Sequence, residues 1–232
     1  MPLSEPTTLL SDWVLALVAA GLGTRLYRAG PREADRARRL WAAAFLAGAA
    51  GALAGGAVHG FAASLPPLAH AVLWKTVLVT VGLADSLVLA GTVLASFGGS
   101  CRRACLAATA GTLAIYLALV SRSDDVRLAV GHGALAILAA LALALTRPDD
   151  ARRLGGILLA LGASAAGLAA QRSGVGAGIL NHNDLCHVLQ TAALWPLYCA
   201  GRRLQDASRR PGAQRPSFSR KSALSRLASN LW

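Results

Sequence analysis

The chain of 232 residues is 55% hydrophobic and only 15% charged, with a mean hydropathy of +0.50. Its charges gather between long apolar runs, which excludes an ordinary water-soluble core. The net charge of +12 does not point to nucleic acid, because the basic residues follow a membrane topology, as set out below.

An α-helix needs an apolar stretch of about 17 to 25 residues to cross roughly 30 Å of hydrocarbon at 1.5 Å per residue. Seven such stretches occur, at 9–26, 40–63, 71–97, 104–120, 128–146, 154–170 and 185–201. They are rich in Ala and Leu and lack alternation with period two, so helices are expected rather than a barrel. The expected fold is all-α, a seven-transmembrane-helix bundle over residues 1–201 followed by a basic tail at 202–232.

The first span follows Glu5, with no basic residue and no small-residue cleavage site around a short apolar core, so it is expected to be retained rather than removed as a signal peptide. On the second span Gly48, Ala52 and Gly56 form one four-residue ladder, and Gly51, Gly55 and His59 form another. Such ladders let helix backbones approach closely and place this helix inside the bundle, unless they only reflect a composition rich in Ala and Gly. The third span carries Asp85 near its middle, with Lys75 after Trp74 at its start, where a long side chain can snorkel outward. Cys101 and Cys105 share a helix face at the mouth of the fourth span, either as palmitoylation sites or as small apolar residues. The fifth span holds His132.

Gly174, Gly176 and Gly178 alternate before the seventh span. No strand precedes them and no Lys-Ser/Thr follows, so they are read as a bending loop and not as a phosphate cradle. On the seventh span Asn183, Asp184, His187, Gln190 and Thr191 make a polar stripe on one helix face, and Pro196 interrupts the run. Asn181, Asn183 and Asp184 also suit a helix start, where their oxygens cap free N–H groups. In the tail, Phe218, Leu224, Leu227 and Leu231 recur at helical spacing among basic residues. This fits either a short helix on an anionic leaflet or a disordered basic segment.

Assigning alternate connections to opposite sides puts nineteen of the twenty-three Lys and Arg residues on one side, leaving Lys75, Arg122, Arg127 and Arg172 on the other. The positive-inside rule then sets the N-terminus outside and the C-terminus in the cytoplasm. All five histidines, His59, His70, His132, His182 and His187, fall toward the outer ends of their spans.

Three neutral imidazoles arriving from different helices can hold Zn²⁺ with one position open to water, and the metal then supplies hydroxide near neutral pH. His59, His182 and His187 are the candidate ligands, with His132 as a substitute and Asp85 as the candidate general base. Against this, a lone intramembrane His is as often a hydrogen-bonded packing residue, and Asp85 can pair with Lys75.

Seven spans, His59 near the outer end of the second, Asp85 in the third and a His-containing polar start to the seventh together resemble the membrane hydrolase superfamily of alkaline ceramidases and adiponectin-receptor-like proteins. That resemblance implies a zinc-dependent lipid amidase. His59 would match the second-helix ligand, His187 the latter member of the seventh-helix His-x-x-x-His pair, and Asp85 the supporting acid. The chain departs from the pattern at Asn183, which stands four before His187 with His182 displaced by one, and at Gly55, which stands where a Ser would precede His59. The expected partners are membrane lipids and a lipid or small-molecule ligand, with no nucleic acid, and the expected location is a bacterial inner membrane. A non-catalytic receptor, carrier or scaffold, whose polar rim binds a small ligand or orders the bundle, is the competing expectation.

Overall fold

The computed structural model describes residues 3–29, 36–146, 151–176 and 178–207, with only the backbone for 151–153. Seven helices follow in order: α1 Pro6–Arg28, α2 Arg36–Phe61, α3 Pro67–Ser96, α4 Gly99–Arg122, α5 Val126–Leu145, α6 Ala151–Ser173 and α7 His182–Arg202. Each expected span lies on one of them. The structure thus has the seven-helix architecture expected from the apolar runs. The amphipathic segment expected at 218–231 lies outside the described residues.

Six of the helices, α1 to α6, are long and apolar enough to cross a membrane. The seventh falls short because of its own polar stripe, which runs from His182 through Thr191. A polar stripe in hydrocarbon must face protein or trapped water, since each unpaired group costs several kcal/mol there. Accordingly α7 packs against α6 and α1, with its stripe turned toward α1.

Contacts between helices describe a ring: α6, α7, α1, α2, α3 and α5, with α4 laid against α3 and α5 from outside. Short connections make successive helices antiparallel, so the starts of α1, α3, α5 and α7 share one end with the close of α2, α4 and α6. The opposite end holds the main apolar core, built around the fully buried Trp41 and Leu26 with Phe45, Leu94, Ile157 and Leu204. A smaller core joins Leu78, Tyr116, Val120 and Ala129 where α3, α4 and α5 meet.

The glycines of α2 explain its central position. A Cβ on Gly56 would stand 2.6 Å from the Trp13 ring, one on Gly60 would stand 2.8 Å from Leu9, and one on Gly51 would stand 2.7 Å from Thr80. Gly55 leaves room for the carboxylate of Asp12, at 3.3 Å from the same imagined atom. The ladder Gly51, Gly55, His59 is therefore a packing surface, whereas Gly48 faces open space. The loop before α7 bends as expected of its glycines: Gly174 and Gly178 adopt φ of +68° and +62°.

Candidate functional site at the outer rim

Two side chains of α7 are drawn to α1 by separate hydrogen-bond systems. The first begins with Asn181, which caps α7: its Oδ1 accepts from the backbone N–H of Asn183 at 2.8 Å and of Asp184 at 3.0 Å. Asp184 returns the favour, with Oδ2 accepting from the Asn181 N–H at 2.9 Å, which completes a capping box. The other carboxylate oxygen of Asp184 accepts from the Thr8 hydroxyl at 2.7 Å, and Asn181 Nδ2 donates to that hydroxyl at 3.0 Å. Thr8 and Asp184 are both fully buried. Every polar group of this triad has a partner, so it acts as a structural clasp between the first and last helices.

The second system is chemically less complete. Ser11 Oγ donates to the Thr8 carbonyl at 3.0 Å and lies 3.2 Å from His187 Nδ1. A hydroxyl has one proton: with it on the carbonyl, Ser11 accepts from Nδ1–H, and with it turned to the ring, Nδ1 is the acceptor. The other ring nitrogen, Nε2, faces Asp12 Oδ1 at 3.4 Å. Asp12 is 6% and His187 14% exposed at the side chain, and Asp12 Oδ2 is buried without a hydrogen-bond partner. A proton held between the two groups would give either imidazolium with carboxylate or imidazole with carboxylic acid.

His59 completes the rim from α2. Its ring sits edge-on to that of His187 with centroids 6.4 Å apart, and its Nδ1 lies 3.2 Å from Glu5 Oε2. The assembly therefore places two imidazoles and two carboxylates, Glu5, Asp12, His59 and His187, at the meeting point of α1, α2 and α7.

His59 and His187 are brought together as the sequence implied, but the remaining expected members are not. His182 opens α7 and forms no hydrogen bond with the cluster, because five residues of helix turn it by about 140° from His187. Asp85 and His132 belong to a separate group deeper in the bundle. There His132 Nε2 lies 3.0 Å from Ser86 Oγ and its ring stacks on Tyr116 at 4.5 Å, while Asp85 lies against Gly133. Asp85 does not pair with Lys75, which instead meets Asp124 at 2.8 Å and the carbonyls of Val120 and Ser123. Among the described residues no group of three or more His, Cys, Asp or Glu side chains is arranged to hold a metal ion. The ligand set His59, His182, His187, with Asp85 beside it, is thus not assembled in this structure.

The acid that sequence reasoning missed is Asp12. Its signal was present, since Thr8, Ser11 and Asp12 stand three and four residues apart on one face of an apolar helix. The first span thus carries a carboxylate, Asp12, as the third carries Asp85.

Fold and site together define a multi-pass helical membrane protein with an acid and imidazole cluster at one rim. A family model matches residues 7–206, and the chain belongs to that family, described as a family of unknown function (DUF6962). No curated protein and no solved structure matches the chain.

Proposed function

We propose that the protein is a proton-responsive membrane protein of the receptor or carrier class, whose outer rim binds a proton between Asp12 and His187 and thereby sets how firmly α7 holds α1. The observation that carries this reading is the buried Asp12–His187 contact. Ionisable side chains inside membrane helices are expensive and are retained where they act on ions or protons. An imidazole is the group whose charge changes most readily near neutral pH. The fully satisfied Thr8–Asp184–Asn181 clasp keeps the two helices together whichever protonation state Asp12 and His187 adopt.

The test is the thermal unfolding midpoint in lipid nanodiscs across pH, for wild type, Asp12→Asn and His187→Gln. Wild type should show a pH-dependent midpoint that is flattened in both variants, because each removes one end of the shared proton. The same pH profile in all three proteins would rule the reading out.

A zinc-dependent lipid hydrolase is the second reading, and one observation favours it. Nitrogen and oxygen face each other at 3.4 Å in the His187–Asp12 pair and at 3.2 Å in the His59–Glu5 pair. Donors bound at about 2.0–2.1 Å around a tetrahedral zinc lie a similar distance apart. Metal analysis separates the two readings. Stoichiometric zinc that is lost in a His59→Ala, His187→Ala double variant, together with release of fatty acid from an N-acyl lipid panel, would replace the proton reading with the hydrolase.

A further inference from the structure

A cavity of about 80 Å³ lies inside the ring of helices, away from the outer rim. Its walls come from five helices and are almost wholly apolar, with Trp41, Val88, Ile137, Ile157 and Leu197 among them. Only Asp85 and Ser164 bring polar side chains to it. Among the described residues the Asp85 carboxylate forms no hydrogen bond or ion pair, and the missing side chain of Gly133 is what gives it room: a Cβ there would stand 2.8 Å from Oδ2. The neighbouring Tyr116 hydroxyl is already committed to the Leu78 carbonyl at 2.6 Å, and Ser86 to His132.

A pocket with apolar walls and one carboxylate suits a ligand with an apolar body and a single cationic head. Ordered water fits less well, since a buried water needs two to four polar partners and the cavity offers few. We propose that this cavity is a binding site for a small organic monocation, with the ammonium on Asp85 and the alkyl group against Trp41, Ile137 and Ile157. Its size sets the class: a cavity of about 150 Å³ admits benzene, so this one, about half as large, takes an alkylammonium of about three heavy atoms.

The experiment uses the full chain in nanodiscs and isothermal titration with ethylammonium chloride and with ethanol as a neutral probe of the same shape. Saturable binding of the ammonium, at least tenfold tighter than the alcohol, is expected. Asp85→Asn should weaken it at least tenfold. So should Ala160→Leu, which fills the cavity from α6 and leaves the carboxylate in place. Asp12→Asn should bind the ammonium as wild type does. Equal affinity for the two probes, no binding to wild type, unchanged binding in Ala160→Leu or in folded Asp85→Asn, or loss of binding in Asp12→Asn would each overturn the proposal. If Asp85→Asn does not fold, the neutral probe and Ala160→Leu still decide.

Discussion

Gly82 and Gly48 show how differently one residue type is used on adjacent helices. A Cβ on Gly82 would drive into the ring of Tyr116, which is itself fixed by its bond to Leu78 and by stacking on His132. Gly82→Ala is therefore expected to destabilise by about 1–3 kcal/mol through overpacking. Gly48→Ala meets nothing within 4 Å, and should be neutral or gain up to about 1 kcal/mol from better helix propensity. Paired thermal unfolding midpoints in one detergent check both. At this scale the sequence was least legible. The glycines of α2 announced close approach, but not that Gly55 makes space for Asp12 or that Gly133 makes space for Asp85. Those pairings join residues distant in sequence, and no local pattern encodes which helix lies opposite. His187 and His59 were legible because an imidazole in an apolar span needs a partner whatever the packing.

Among the elements, α7 carries the greatest share of polar structure, and its start is fixed twice, by the capping box and by the clasp to Thr8. Loss of an N-cap ordinarily costs about 1 kcal/mol. Asn181→Ala should cost more than that, because the same side chain also donates to Thr8. Hydrogen exchange should show faster opening in the first two turns of α7 with little change in α3 or α4. Asn181→Asp, which keeps the capping oxygen and loses the donor to Thr8, should recover part of the protection. The existence of all seven helices was readable from hydropathy, since spanning length is a requirement of the bilayer and not of any partner. Hydropathy alone overstates α7, which stands among the seven spanning stretches although its polar stripe leaves it short of the other six. What spacing could not supply was the helix that stripe would meet: the expected site residues lie on α2, α3 and α7, whereas α1 provides the acids.

For the whole molecule, the charge distribution of the chain assigns the end bearing Glu5, His59 and His187 to the outside. Cys101 is exposed at the other end, near the start of α4, while Cys186 is buried toward the rim. A membrane-impermeant maleimide is therefore expected to label Cys101 in inverted vesicles and not in intact right-side-out ones. The reverse result would turn the molecule over and move the acid and imidazole cluster to the cytoplasm. The ring of helices also has a weak link. α5 and α6 touch far more sparingly than α6 touches α7 or α2 touches its two neighbours. Both α5 and α6 wall the chamber beside Asp85, through Ile137 and Ile157. A solute bound for that chamber would slip in sideways from the acyl chains. Its arrival rate would then scale with how well its uncharged form dissolves in lipid as well as with its concentration in the surrounding water.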